Sequence, residues 1–222
     1  MSKSDETKIA ESVTHAFERA TRFDEPYRHW TLDGLFPEDI AADLKAIEFP
    51  VADLGGVSGK RELHNDTRHY VDSDNRARFS AFASIANAFQ TPSLAADIER
   101  FTGADLSGTY LRIEYAQDVE GFWLEPHTDL GVKRLTVLIY LSSDTDHSDL
   151  GTDVYNGDKK WFKRAPFAHN SAMMFVPGDD TYHGFEKRTF SGVRKSLILN
   201  YVTEDWRDRD QLAFPEETVR VG

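Results

Sequence analysis

Two stretches of this chain, Arg134–Leu141 (RLTVLIYL) and Arg194–Tyr201 (RKSLILNY), alternate with a period of two and so are expected to be β-strands. In the first, Leu135, Val137, Ile139 and Leu141 share one face, and Thr136, Leu138 and Tyr140 share the other. In the second, Leu197, Leu199 and Tyr201 oppose Arg194, Ser196, Ile198 and Asn200. Each strand therefore has one apolar face and one on which Leu138 or Ile198 is interleaved with hydrogen-bonding groups. A sheet with an amphipathic surface toward water is one reading. Charged residues would be favoured on such a surface, however, and the mixed face better suits a pocket lining. Arg194 lies on that face. An inward guanidinium has to meet an anion, and its planar fork matches a carboxylate with two parallel hydrogen bonds. Ser196 on the same face and Tyr140 from the other strand are placed to help hold one end of a small dicarboxylate.

The remainder of the chain supplies helices to cover the apolar faces. Helical spacing predicts a helix near residues 6–22 (Ile9, Val13, Ala16, Phe17) and a second opened by Pro37 through Ile40, Leu44 and Ile47. A third is expected from about Asn75 to Gln90, carrying Phe79, Phe82, Ala83, Ala86 and Phe89. A short fourth spans Ser93–Thr102 and ends at Gly103. From Thr109 onward turns and short strands dominate, with Met173 and Met174 as core candidates on one of them. The acidic segment EDWRDRDQLAFPEE reads as a solvated terminal helix and a closing loop, and His15 and His29 as surface or capping residues. The expected fold is mainly β within the α+β class: a double-stranded β-helix, or jelly roll, with N-terminal packing helices. One domain over residues 1–222 is expected, helical to about residue 105 and jelly roll from about 106 to 205.

Three His-x-Asp triplets occur: His64-Asn65-Asp66, His127-Thr128-Asp129 and His147-Ser148-Asp149. In a chain this acidic about one is expected by chance, so context decides. The first lies in a polar stretch, KRELHNDTRHY. The third lies in SSDTDHSDLG, which reads as a solvated turn. Only the second leads into a strongly periodic strand. A histidine and a carboxylate two apart share one strand face, and a distant histidine, His183, completes two imidazoles and one carboxylate. That set fills one triangular face of an octahedron and leaves three positions open, the arrangement of non-haem Fe(II) oxygenases. Arg194-x-Ser196 follows His183 by eleven residues.

From about Tyr110 to Asn200 the chain resembles the 2-oxoglutarate- and Fe(II)-dependent dioxygenases, in particular the prolyl hydroxylase-like branch. The resemblance rests on His127-x-Asp129, His183, Arg194-x-Ser196 and the strand ending in Tyr140. It implies that His127, Asp129 and His183 ligate iron, and that Arg194, with Tyr140 and Ser196, binds the distal carboxylate of 2-oxoglutarate. It further implies that Tyr115, ending YLRIEY, lies near the co-substrate and that Asn200 lies beside its pocket. Fe(II), 2-oxoglutarate and O2 are the implied cofactor and co-substrates. Family halogenases lack the carboxylate corresponding to Asp129, so its presence implies hydroxylation or a related oxidation. One departure is that Leu150-Gly151 stands where relatives often carry a Gly-Gly pair.

A net charge of −12 argues against a general nucleic-acid partner. No stretch approaches the roughly 18 apolar residues of a membrane span, and the absence of cysteine excludes disulfides and thiolate metal sites and fits a cytoplasmic setting. For the substrate, the loop 53–75 offers Arg61, Arg68 and His69, and Trp123 and Glu125 precede His127. These suit a small polar metabolite such as an amino acid, a sugar or a natural-product precursor. A peptidyl-prolyl substrate is the alternative within the same chemistry. A non-catalytic jelly-roll binding module and a cupin-type metal-dependent isomerase or hydrolase are alternatives outside it.

Overall fold

The computed structural model describes residues 4–51, 59–60, 68–144 and 147–222. The first triplet, His64-Asn65-Asp66, and the candidate Arg61 lie outside them. Helix α1 (Asp5–Glu18) begins where the Ser4 hydroxyl accepts from the Thr7 amide, and it buries Ile9, Val13 and Ala16. Helix α2 (Glu38–Ala46) follows Pro37 and buries Ile40, Ala41 and Leu44. The third expected helix is two, α3 (Ser73–Arg78) and α4 (Ser80–Gln90). Phe79 takes an extended backbone between them, and its ring meets Phe49 and Phe82 edge-on. Tertiary packing here overrides helical periodicity. Helix α5 (Pro92–Thr102) has Pro92 in its first turn and ends at Gly103, whose φ of 78° is the left-handed cap that glycine adopts without strain.

The strands are β1 (Thr21–Phe23), β2 (His29–Asp33), β3 (Arg68–Tyr70), β4 (Tyr110–Asp118), β5 (Leu124–His127), β6 (Lys133–Tyr140), β7 (Asp153–Tyr155), β8 (Trp161–Arg164), β9 (Ser171–Phe175), β10 (His183–Phe185) and β11 (Arg194–Val202). They form a seven-stranded sheet, β1-β2-β9-β6-β11-β4-β3, and a four-stranded sheet, β5-β10-β7-β8. The pairings within both are antiparallel. This is the expected jelly roll backed by helices. The early strands β1, β2 and β3 were not anticipated.

The alternation read from β6 and β11 holds. Leu135, Val137, Ile139, Leu197, Leu199 and Tyr201 join α1, α2, α4 and α5 in one large apolar core. The opposite face of the same sheet meets the smaller sheet across two lesser clusters, one around Phe122, Tyr140, Phe167 and Phe185, the other around Tyr27, Met173 and Phe175. Met174 turns to the helices and Met173 inward, both in the core as expected.

Three local expectations are corrected. His29 is fully buried, its Nδ1 2.8 Å from the Tyr27 carbonyl, because β2 pairs with β9 and places it opposite Phe175. His147 of the third triplet is also buried. Its Nε2 lies 2.7 Å from the Ser191 carbonyl and its ring meets Phe190 edge-on, while Asp144 and Asp149 to either side stay solvated, Asp149 paired with Arg164. The tail forms no helix beyond a single 3-10 turn, Arg209–Gln211. It is pinned to β4 by the Ala213 amide donating to Leu111 O at 2.9 Å, with Leu212 and Ala213 buried.

Candidate active site

Strands β5 and β10 bring His127 and His183 opposite each other, with ring centroids 4.5 Å apart. Each ring is held through Nδ1 by the carbonyl two residues earlier: Glu125 O at 2.8 Å for His127 and Thr181 O at 3.0 Å for His183. A carbonyl only accepts, so both Nδ1 atoms carry the proton and both Nε2 atoms keep a free lone pair. Burial pushes His127 down to about 4, and the neighbouring His183 adds to the shift. Burial likewise lowers His183, with Lys133 contributing, against the attraction of Asp129. The rings are neutral near pH 7, the form that ligates metals.

Asp129 lies at the start of the turn into β6. Burial alone would raise its carboxyl, but the Lys133 ammonium and His183 outweigh burial and hold it well below the usual range. Oδ1 accepts from Lys133 Nζ at 2.5 Å and Oδ2 from Thr136 Oγ1 at 2.6 Å. Thr136 in turn accepts from Asn200 Nδ2 at 2.8 Å, and Asn200 Oδ1 accepts from Arg112 at 3.3 Å. Asn200 therefore stands behind Thr136, bonded to two residues of the pocket wall, and steadies the carboxylate. Among the described residues no three histidine, aspartate or glutamate side chains stand gathered as metal donors, and Asp129 is engaged by Lys133. The donor set nevertheless fits a divalent ion that accepts nitrogen and oxygen: two Nε2 lone pairs and an ionised carboxylate whose oxygens each retain a second lone pair.

The same pocket extends along β11 to Arg194 and is lined between by Leu138, Tyr140, Thr152, Phe185, Ser196 and Ile198. Arg194 is buried there. Its Nε donates to Leu150 O at 2.9 Å and its guanidinium lies 4.7 Å from the Phe185 ring centre. The Tyr140 hydroxyl donates to Thr152 Oγ1 at 2.8 Å. Gly151 lets this edge close. A Cβ there would come 1.8 Å from Ala165 O, so this position of the Leu150-Gly151 pair requires glycine.

The remaining candidates divide. Arg68 and Glu125 line the pocket, but Arg68 is already ion-paired, 2.5 Å from Asp118 Oδ1 and 3.2 Å from Glu114 Oε1. Tyr115 faces the helices, its hydroxyl donating to Leu44 O and Ile47 O at 3.0 and 2.9 Å. Strand parity places it with Ile113 and Leu111, away from the pocket, which corrects its expected role. His69 shares that side and stacks on Phe49 at 3.9 Å. Trp123 packs its ring on Gly59, where a Cβ would come within 2.4 Å, and takes no part in the pocket wall.

Sequence reasoning missed Arg112, Glu114 and Asp118, which β4 presents to the pocket, and also Lys133, Trp206 and Gln211. Arg112 lies between the rings of Tyr70 and Trp206, 4.8 Å from each, and donates to Gln211 Oε1 at 2.9 Å and to Glu114 Oε2 at 2.8 Å. Alternation within YLRIEYAQD carried the signal for Arg112, Glu114 and Asp118.

No protein-family model matches the chain, and no curated protein matches it in sequence. Solved structures do match in fold. A prolyl-4-hydroxylase from Pseudomonas putida aligns over 87% of this chain and 99% of its own, at 16% identity and a TM-score of 0.56. A prolyl hydroxylase from Trichoplax adhaerens, solved with a hypoxia inducible factor peptide fragment, aligns over 90% and 91%, at 15% identity and a TM-score of 0.55. SnoN, a non-heme alpha ketoglutarate dependent epimerase from nogalamycin biosynthesis, aligns over 87% and 82%, at 15% identity and a TM-score of 0.51. The architecture is that of the prolyl hydroxylase-like jelly roll. At these identities the likeness is one of fold, and the chemistry has to be argued from the pocket.

Proposed function

We propose that this chain is an Fe(II)- and 2-oxoglutarate-dependent oxygenase that hydroxylates, or otherwise oxidises at a C–H bond, a small polar metabolite. The observation that carries the reading is one pocket holding two neutral imidazoles with free Nε2 atoms, an ionised carboxylate and a buried guanidinium. His127, Asp129 and His183 would hold the metal, while Arg194, Ser196 and Tyr140 would hold the distal carboxylate of the keto acid. A bound ferrous ion with 2-oxoglutarate supplies the oxidising power: O2 and the keto acid become succinate and CO2, and one oxygen atom goes to the substrate.

The residues themselves do the orienting. The carbonyls of Glu125 and Thr181 fix both imidazole tautomers, and Thr136, backed by Asn200, fixes the face that Asp129 presents. Phe122, Phe185, Leu138 and Ile198 keep water from the walls. A small substrate is favoured because the tail folds back over the pocket, with Trp206, Asp208 and Gln211 in its wall.

Two measurements test this. Anaerobic addition of Fe(II) and 2-oxoglutarate should give a weak visible charge-transfer band, and in air succinate should accumulate and rise with the true substrate. Arg194→Ala should keep the metal and weaken 2-oxoglutarate by ~30-fold or more, as loss of a buried charge pair does. A protein that neither gives the band nor releases succinate is a binding module or a different metalloenzyme, and the proposal fails. Retained 2-oxoglutarate affinity in Arg194→Ala points to the cupin-type alternative.

A further inference from the structure

Strand β4 runs beside β11 in register, so Asp118 lies directly across from Arg194. Asp118 is 2% exposed, and its Oδ2 accepts from Arg194 Nη1 at 2.6 Å. Its Oδ1 accepts from Arg68 Nη1 at 2.5 Å. Arg194 Nε is committed to Leu150 O. The guanidinium that should grip an incoming carboxylate thus already holds one of the chain's own. Arg68 lies 3.2 Å from Glu114, and Glu114 accepts from Arg112, so five buried charges run in series: Arg112, Glu114, Arg68, Asp118 and Arg194.

Building on Arg194 as the distal-carboxylate site, we propose that Asp118 is a built-in competitor for that site and that Arg68 sets how strongly it competes. Two carboxylates on one guanidinium repel at close range in a poorly screened interior. Asp118 relieves that repulsion by leaning wholly on Arg68, the second cation it already touches. Arg194 then offers Nη2 and its released Nη1 hydrogen, with the Ser196 hydroxyl on the same strand face, to the keto diacid. Arg68 acts through Asp118. It is a positioning residue for the co-substrate, and the substrate role read from its place in the loop 53–75 is replaced.

The signature is a pair of opposite effects that loss of packing would not give. Calorimetry on the full chain loaded with Mn(II), which supports binding without turnover, compares 2-oxoglutarate with 2-oxopentanoate, the analogue lacking the distal carboxylate. Asp118→Asn should tighten 2-oxoglutarate by about tenfold and Arg68→Ala should weaken it by about tenfold, the scale of one close charge in a buried site. 2-Oxopentanoate should move by less than about twofold in both, since it presents no second charge. In the Asp118→Asn background Arg68→Ala should change 2-oxoglutarate affinity by no more than about threefold, because the residue it works through is gone. Arg68→Gln replaces Arg68→Ala, and Asp118→Ser replaces Asp118→Asn, if either protein fails to fold. Unchanged or weaker 2-oxoglutarate binding in Asp118→Asn, or an equal cost of Arg68→Ala in both backgrounds, overturns the proposal. Wild-type protein that does not distinguish 2-oxoglutarate from 2-oxopentanoate overturns instead the reading of Arg194 on which it rests.

Discussion

Lys133 shows how one residue can set the state of the whole site. Its ammonium is buried against Asp129, and burial lowers its pKa against that attraction. A carboxylate left alone in this position would be costly, since breaking one partner of a buried ion pair typically destabilises by about 3–5 kcal/mol. Lys133→Met should therefore lower the melting temperature of the metal-free protein. It should also enlarge the stabilisation gained on adding Mn(II), because the metal becomes the main counter-charge to Asp129. Thermal scans with and without Mn(II) check this; a metal-induced shift equal to wild type would mean that Lys133 does not bear on Asp129. The expected strand face shared by His127 and Asp129 does not form, because β5 ends at His127 and Asp129 stands in the turn that follows. Lys133 opens β6, where parity with Leu135 and Val137 points to the helix side, but the register shift opposite Tyr201 and Val202 breaks that parity. Tyr115 is the opposite case. Its parity with Leu111 and Ile113, and its ladder partner Leu197, already put it on the helix side, and family resemblance pointed the other way. Where the two disagree, the period-two rule is the stronger physical constraint, because one register step reverses every side chain.

At the scale of elements, the imidazole pair depends on how closely β5 and β10 approach. Gly184 separates His183 from Phe185, and a Cβ there would come 2.7 Å from Leu124 O and 3.0 Å from Glu125 O. Glu125 O is also the acceptor that fixes His127. Gly184→Ala should push β5 outward, release the His127 tautomer and weaken Mn(II) binding by about 10–100-fold, the usual cost of losing an outer-shell partner of a metal histidine. Equilibrium metal titration decides it, with far-UV circular dichroism to show that the sheets remain; wild-type affinity would mean that the strands separate without disturbing the ring. The elements that formed as expected, β6, β11, α1, α2 and α5, are those with a long apolar stripe or a clear cap. Those that did not, the β1–β2 hairpin, β3 and the α3–α4 break, are short or are decided by a distant contact such as Phe79 against Phe49. Trp206 and Gln211 reach the pocket through a tail with no periodicity, so nothing local in the sequence could place them.

For the molecule as a whole, the β1–β2 edge of the large sheet makes stability depend on pH. His29 lies there, stacked 5.0 Å from Phe23, with no hydrogen-bond partner for Nε2 among the described residues. Burial pushes it down to about 4 from the ordinary 6.5, with only the Tyr27 carbonyl opposing. The folded-state value lies below the unfolded one, so the unfolded chain takes the proton first. The stabilisation linked to neutral His29 is therefore complete above pH 6.5 and is lost as pH falls through the folded value near 4. At 1.36 kcal/mol per unit, this one residue carries at most about 3 kcal/mol of the acid sensitivity. His29→Phe keeps the stacked ring and removes the proton site. Urea unfolding at pH 7.5, 5.5 and 4.5 should show the stability difference between wild type and His29→Phe shifting steadily in favour of the variant as the solution is acidified. Histidines 127 and 183 titrate in both proteins and cancel in that difference, so a difference that stays constant with pH would mean that this edge of the sheet admits a charged ring at no cost.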